Sequence, residues 1–480
     1  MDMNSPKVSI IIPTYKGADV LLEAVQSILK QTYQNFEIII VDDASPDHTA
    51  NLFHPPPDPR IKYLMQEKNA GARAARRVGI RASSGDIIAF LDQDDLYHPE
   101  KLQAHVEYLN RYPNVGMTYN ARFSISDSIE FIREIWHPPQ HLTLQDVVRG
   151  FPLSPSDMIL RRKWALPKYM EGPWGNSGGE IVLLGRLLLD GCKFGYIDRA
   201  LNYRRYESGR NFGNIAGNCD SELKCLDIIF SDPRCPTAVL EARVIAPLIT
   251  YFYWGSRAYA QGQVELGREY YLKSLQSNTG ILEGTPSPMM SYLMNFVIED
   301  ESQDHVEILN KIFTNLPPEL QIITREQNWA IACGYLMKGA RSIMWKRFDQ
   351  GREHIEQLKS LRLEFDDSHF ERLSGFLVDY DAEFGYHATK RVLNDWHACF
   401  GNVVDADGMR RLEGKFLLGR AFRNYEGGHY LKVPGSILRA LVQNPAHLQT
   451  PGVLSVLWRS FKGVAKWIVR KSPYRIIGMA

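Results

Sequence analysis

The segment Phe90-Leu91-Asp92-Gln93-Asp94-Asp95 sets three carboxylates at the end of an apolar run from Ile87 to Leu91. Side chains alternate along an extended chain, so Asp92 and Asp94 share one side and can aim at one point. Carboxylate oxygens so paired suit a hard divalent cation, Mg²⁺ or Mn²⁺, which keeps coordination positions open for substrate phosphates. The other chemistry is structural: acids ahead of His98-Pro99 can cap the helix that the proline opens. A carboxylate pair alone does not separate the two, so the elements around it must.

Those elements alternate strand and helix. Val8 to Ile12 is a β-branched run ended by Pro13, and Leu21 to Lys30 has helical apolar spacing at Leu21, Val25, Ile28 and Leu29. Glu37 to Val41 reads as a second strand closed by Asp42 and Asp43, and Ser45-Pro46-Asp47 as a helix start. Ile61 to Met65 is a third strand, Asn69 to Ala82 a helix, and Asp86 to Leu91 a fourth strand. The pattern predicts an α/β domain with buried parallel strands. In a doubly wound sheet the ligand lies beyond the carboxyl ends of the strands. Pro13-Thr14-Tyr15, Asp42-Asp43, Asn69-Ala70-Gly71 and Asp92-Gln93-Asp94 all fall there. No G-x-G-x-x-G follows the first strand and no G-x-x-x-x-G-K-S/T occurs, so neither a dinucleotide turn nor a P-loop is indicated.

Four ordered blocks carry a resemblance: Val8 through Tyr15, then Gln31-Thr32-Tyr33 with Phe36 through Ser45, then Asn69-Ala70-Gly71 with Ala75-Arg76, then Leu91 through Asp95. Over roughly the first 210 residues the chain resembles the family-2 inverting glycosyltransferases with the GT-A nucleotide-sugar fold. The resemblance implies a nucleoside-diphosphate sugar as donor, with UDP the expected nucleotide. It implies that Pro13, Thr14 and Tyr15 line the nucleotide pocket and that Asp43, beside Asp42, contacts the uracil. Asp94 would coordinate the metal with Asp92 beside it, Asp92 and Gln93 would flank ribose and phosphate, and Asn69, Gly71 and Arg76 would complete the donor site. Arg77 stands where the family usually has asparagine. Arg73, Arg77 and Arg81 recur at helical spacing and read as a solvated face.

An inverting transfer also needs a base for the acceptor hydroxyl, and a carboxylate suffices. In Gly178-Gly179-Glu180-Ile181-Val182, aligned through Arg186 and the leucines after it, Glu180 takes the place of the family's catalytic aspartate. The alternative for Glu180 is a first-turn acid favoured by the helix dipole. Tyr206 in Tyr203-Arg204-Arg205-Tyr206 is a second departure, where many relatives have histidine near the metal. Val115 to Phe123 reads as a strand and Trp136 to Leu153 as an irregular stretch. Trp136 and Trp174 are candidates either to stack on a sugar or to fill the core.

The 480 residues carry 56 basic and 55 acidic side chains with 44% hydrophobic content, which suits a globular protein of two or three domains and gives no sign of nucleic-acid binding. Six cysteines without a C-x-x-C pair read as reduced thiols, and the first residues lack a signal-peptide pattern, so a cytoplasmic location is expected. From Cys219 the pattern turns all-helical. Three loosely similar segments, at Tyr259-Ala260-Gln261-Gly262, Phe348-Asp349-Gln350-Gly351 and Tyr425-Glu426-Gly427-Gly428, are reminiscent of tetratricopeptide-type hairpins, with an ordinary bundle as the alternative. The expected division is a GT-A domain over 1–218 with a mixed, mainly parallel sheet, an all-α domain over 219–450 and a basic amphipathic tail over 451–480. In the tail Arg459, Lys462, Lys466 and Arg470 keep helical spacing beside Leu457, Phe461, Val464, Trp467 and Ile468. That fits peripheral contact with the inner face of a membrane, or a docked terminal helix. The function expected is sugar transfer to a hydroxyl of a glycan or lipid-linked acceptor, in cell-surface polysaccharide synthesis. The other class is a non-catalytic sugar-nucleotide-binding or scaffold protein with a degenerate site, its helical domain serving a protein partner.

Overall fold

The computed structural model describes residues 5–126, 128–150, 153–172, 177–206, 213–275, 279–299, 303–361, 365–401 and 403–461. The chain forms two compact units, Met1–Gln327 and Asn328–Ala480.

The first unit begins with β1 (Val8–Thr14), α1 (Leu21–Leu29), β2 (Phe36–Asp42), β3 (Ile61–Met65), α2 (Ala72–Ala82) and β4 (Ile87–Phe90). It continues through β5 (Leu96–Tyr97), α3 (Lys101–Arg111), β6 (Val115–Ile125), β7 (Ile132–Trp136), α4 (Leu144–Val148), β8 (Met158–Arg161), α5 (Gly179–Leu189) and β9 (Lys193–Arg205). The strands make one sheet in the order β3-β2-β1-β4-β8-β6-β9-β5, with β7 paired to β6. β3, β2, β1 and β4 are mutually parallel, whereas β8 runs antiparallel to both β4 and β6. Period-two alternation sends Ile10, Ile12, Ile38 and Ile40 to one face with Leu21 and Val25 of α1 and Leu102 and Val106 of α3. Ile11, Ile39 and Val41 go to the other face with Ala75 and Ile80 of α2 and Leu183 and Leu187 of α5. Both faces are covered, which is why these strands are continuous apolar runs.

Several local expectations are corrected. Ser45-Pro46-Asp47 leads into a short 3₁₀ helix over His48–Phe53, and Asp47, not Ser45, caps it by accepting the Thr49 N–H. The helix expected from Asn69 starts at Ala72, because Gly71 takes a left-handed φ of 87° that leaves Asn69 and Ala70 in the entering loop. The stretch after Trp136 is not wholly irregular: Thr143 and Asp146 form a reciprocal capping box that starts α4 among the prolines.

The unit goes on as helices: α6 (Ile215–Phe230), α7 (Thr237–Leu240), α8 (Ile245–Ala260), α9 (Val264–Leu275), α10 (Pro288–Val297) and α11 (His305–Thr314). The change to helical composition near Cys219 falls inside this unit, because Leu226, Ile229 and Phe230 of α6 bury with Leu144 and Val148 of α4.

The second unit consists of α12 (Gln327–Met344), α13 (Phe348–Leu361), α14 (Asp367–Phe384), α15 (Tyr386–Phe400), α16 (Ala406–Glu426), α17 (Val433–Gln443) and a helical segment over residues 453–461. Its largest buried side chain, Trp396, satisfies its indole by donating to the Ala340 carbonyl at 2.9 Å. Two of the three loosely similar segments are helix-ending turns, with Gly262 and Gly428 at positive φ. The middle one instead opens α13; there Lys346 makes the left-handed turn, and Gly351 packs inside the helix against Ile343. In the terminal segment Val453, Val456 and Ser460 are buried, and the tail positions from Lys462 onward lie outside the described residues. Among the described residues no helix is long and apolar enough to cross a membrane.

Candidate functional site

The candidate residues collect at the carboxyl ends of β1, β2 and β4. Thr14 ends β1, and its hydroxyl donates to Gln93 Oε1 at 2.6 Å. The same oxygen accepts the Tyr15 N–H at 2.9 Å, while Gln93 Nε2 donates to the Tyr15 carbonyl at 3.2 Å. Gln93 therefore clamps the end of β1 to the turn after β4. Pro13 lies buried beneath the clamp, and Tyr15 is exposed above it. Lys16 and Ala44, at the exits of β1 and β2, hold left-handed φ values of 52° and 60°, and Ser45 Oγ accepts the Lys16 N–H at 3.0 Å. Backbone strain of this kind gathers at functional turns. The clamp also constrains Gly17, since a Cβ there would lie 2.6 Å from Gln93 Oε1. Gly17→Ala should cost about 1–3 kcal/mol of stability, read as a lower midpoint in urea unfolding.

Asp42 is fully buried; its oxygens accept the Ser45 N–H at 2.8 Å and the Tyr63 hydroxyl, so it shapes the turn from beneath. Asp43 is buried too, and its two oxygens accept the N–H groups of Ala70 at 2.8 Å and Gly71 at 2.7 Å, with Gln66 Nε2 a third donor. The Asn69-Ala70-Gly71 block and Asp43 are thus one feature: the carboxylate satisfies donors at the start of α2.

Asp92 faces Arg76, whose Nη2 is 2.5 Å from Oδ1. Arg76 Nη1 lies 4.0 Å from Glu180 Oε1, so one buried guanidinium stands between the strand-end acid and the acid in the first turn of α5. Asp95 is buried, accepts the Arg205 N–H at 3.2 Å, and has its carboxyl pushed well up by burial and by the charges of Asp94 and Asp92. Arg205 also donates from Nε to the Asp94 carbonyl at 3.1 Å and pairs with Glu23 of α1.

Among the described residues no set of three or more His, Cys, Asp or Glu is arranged to hold a metal ion. Two half-exposed carboxylates, Asp92 and Asp94, do supply hard oxygen donors beside the buried Asp95, and their charges on Asp95 mark a concentration of negative charge. That donor set fits Mg²⁺ or Mn²⁺ in the manner typical of phosphate sites, with one or two carboxylates from the protein and the remainder from substrate and water.

Several contributors were not anticipated. Ser156 Oγ accepts the Asp92 N–H at 3.1 Å, and Ser154 Oγ lies 3.4 Å from Asp92 Oδ2. Both belong to a capped 3₁₀ turn anchored by Asp157, which pairs with Arg122 at 2.7 Å and accepts Asn202 Nδ2 at 3.0 Å. The S-x-x-D spacing of Ser154 and Asp157 was the signal available in the sequence. Arg73 is not part of a solvated face: Gly179 has no side chain, and the Arg73 stem fills the space, its Cδ 2.6 Å from where a Cβ would stand. Burial lowers the Arg73 pKa while the charge of Glu180 supports it. Arg77 is half-buried and only Arg81 is exposed. The turn before Glu180 is held by α6, where Ser221 Oγ donates to the Ser177 carbonyl at 2.7 Å. Trp136 has one ring face covered by Arg122 at 3.8 Å and packs against the core; Trp174 lies outside the described residues.

Residues 9–168, a third of the chain, match the family Glycosyl transferase family 2. This segment is a family 2 glycosyl transferase domain. The fold around it is of the GT-A type, a mixed sheet followed by helices. Over 160 residues the chain is 31% identical to the UDP-Glc:alpha-D-GlcNAc-diphosphoundecaprenol beta-1,3-glucosyltransferase WfgD of Escherichia coli, covering 33% of this chain and 62% of that protein. Over 134 residues it is 37% identical to an uncharacterized glycosyltransferase of Rickettsia conorii, covering 28% and 22%. The chain thus spans from about a fifth to three fifths of these relatives' lengths. A crystal structure of S. aureus TarS superposes with a TM-score of 0.42 at 16% identity over 75% of this chain and 94% of that one. The family 2 domain contains the clamp, the Asp43 turn, Arg76 and Asp92 to Asp95; Glu180 lies just beyond the matched span.

Proposed function

We propose that the protein is a metal-dependent inverting glycosyltransferase that moves a sugar from a nucleoside diphosphate, UDP by preference, to a hydroxyl of a glycan or lipid-linked acceptor in polysaccharide synthesis. The observation that carries this is the meeting of Asp92 and Glu180 at Arg76, beyond the carboxyl ends of the parallel strands. The relative whose printed name specifies UDP-Glc and a diphosphoundecaprenol-linked acceptor supports both choices.

Held by Asp94 and Asp92, Mg²⁺ or Mn²⁺ would supply charge neutralisation for the departing diphosphate. Arg76 fixes Asp92 in orientation, and Ser156 and Arg205 fix the backbone of its loop. The exposed Tyr15 and the exits of β1 and β2 offer the nucleotide a rigid floor, with Asp42, Thr14 and Gln93 acting through the turns they lock. Glu180 takes the acceptor proton while the acceptor oxygen forms its bond to the anomeric carbon, and the bond from that carbon to the diphosphate breaks with its electron pair leaving on phosphate. The proposed location is cytoplasmic, at the inner face of the membrane, with the helical region available to a protein partner.

The test is calorimetric binding of UDP, with Mn²⁺ and with chelator, to wild type and Asp94→Ala, alongside UDP-sugar hydrolysis. Metal-dependent binding that falls at least about tenfold in the variant, a loss of roughly 1.4 kcal/mol, is the expected result. Binding indifferent to metal and to Asp94 would overturn the site assignment. The second reading, a non-catalytic sugar-nucleotide-binding or scaffold protein, draws on one observation: Arg76 and Arg73 both face Glu180 and compete with an acceptor hydroxyl for its oxygens.

A further inference from the structure

Seven of the twenty large hydrophobic side chains that stand exposed among the described residues fall between Leu431 and Phe461. That is too many in so short a stretch for scattered surface residues, and concentrations of this kind mark interaction sites. On α17, Leu438 and Val442 are one helical turn apart and point outward, Val442 at 83% exposure. In the segment over 453–461, Leu454, Trp458 and Phe461 recur at i, i+4 and i+7, with Leu454 at 60% and Trp458 at 64%. α17 is held on its inner side by α16, where Arg420 donates to Ser436 at 2.8 Å and Gln443 donates to Glu413 at 3.0 Å, and Gly452, just ahead of the next segment, lies beside Phe422 of α16, while Val453, Val456 and Ser460 are buried. The outward apolar rows are therefore displayed by a packed scaffold.

Charge decides what would cover them. After Glu426 the chain has eight Lys or Arg residues and no Asp or Glu, and Arg439 and Arg459 stand exposed beside the apolar rows. In a two-fold contact with a second copy the same patch meets itself, which would set Arg439 and Arg459 against their own copies with no acid from this stretch to offset them. A bilayer containing anionic lipid meets both requirements, since aliphatic and Trp side chains enter the headgroup boundary and each nearby cation is attracted to the anionic surface.

We infer that the outward face of α17 and residues 453–461 is a docking surface for an anionic membrane. It deepens the peripheral location proposed above and is independent of whether sugar transfer occurs. The 480-residue protein is sedimented with phosphatidylcholine vesicles, with and without phosphatidylglycerol, at low and high salt. Wild type should bind the phosphatidylglycerol vesicles and release at high salt. The double variant Leu454→Ser, Trp458→Ser and the charge variant Arg439→Glu, Arg459→Glu should each bind at least roughly tenfold more weakly. All four positions are exposed, and an unchanged melting temperature identifies loss of binding as loss of the surface. No binding to either vesicle, equal binding by wild type and both variants, or a concentration-dependent dimer that the serine variant abolishes in place of vesicle binding would each overturn the inference. UDP binding measured on the same samples separates its failure from failure of the transferase reading.

Discussion

Glu180→Gln should lower the rate of sugar transfer by about 10²–10⁴-fold, the range that a positioned general base supplies, while UDP binding stays close to that of wild type. The reasoning starts from position. Glu180 sits in the first turn of α5, after a Gly178-Gly179 pair whose left-handed Gly178 lets the chain enter the helix tightly against α6. A Cβ on Gly178 would come to 3.0 Å from Glu222 Cα and 3.1 Å from the Cys225 sulfur, so this entry is fixed on the α6 side. On the other side Arg73 and Arg76 hold the acid. Glutamine keeps the shape but gives up the proton-accepting carboxylate and the charge that Arg73 and Arg76 face, while Arg76 keeps Asp92, so a base role predicts loss of kcat with KM for the donor preserved. Glu180→Asp is the informative companion: it keeps the carboxylate but withdraws it by a methylene, and for a base it should retain part of the activity that glutamine removes. If transfer is undiminished in Glu180→Gln, Glu180 is a first-turn acid that stabilises α5, and the scaffold reading gains.

Much of this site was legible in the sequence for a specific reason. β1, β2 and β4 are buried on both faces, so their apolar runs are continuous and their ends are marked by the first polar residue, Thr14, Asp42 or Asp92. A site built at strand ends in a parallel sheet is then announced by the same residues that end the strands. What was not legible depends on partners distant in the chain. Arg73 looked solvent-facing by helical spacing, but the absent side chain of Gly179 made a slot for it. Asp43 reads as the close of a strand and a nucleotide contact, and it binds the entering loop of α2 after an intervening strand. The helix α4 was hidden because its flanking prolines outweighed a short apolar pattern, although its capping box was present in Thr143 and Asp146. The division of the molecule was obscured for a related reason: composition changes near Cys219, but α6 buries its apolar side against α4, and the compact units separate only at Gln327.

The support beneath the carboxylate loop leads to the largest expected effect on stability. Asp157 is fully buried and meets three groups: Arg122 Nη1 at 2.7 Å, Asn202 Nδ2 at 3.0 Å and the Ser154 N–H at 2.8 Å. Arg122 is buried as well, its charge disfavoured by desolvation and upheld by Asp157. Removing Asp157 takes from the buried Arg122 its nearest counter-charge, and breaking a buried pair in this way costs about 3–5 kcal/mol, far more than the pair itself contributes. Asp157→Ala should therefore lower unfolding free energy by that amount, measured by urea denaturation, and a variant that unfolds with a wild-type midpoint would show Arg122 to be solvated. Asp157→Asn tests the link to function with less damage, because an amide can still accept from Ser154 while giving up the ion pair. Since Ser154 and Ser156 reach Asp92 from the same turn, the asparagine variant should also weaken metal-dependent UDP binding. Arg122→Met in the Asp157→Asn background should recover much of the lost stability, because it removes the stranded charge. It should not recover nucleotide binding, because the turn that positions Asp92 would still lack its carboxylate anchor.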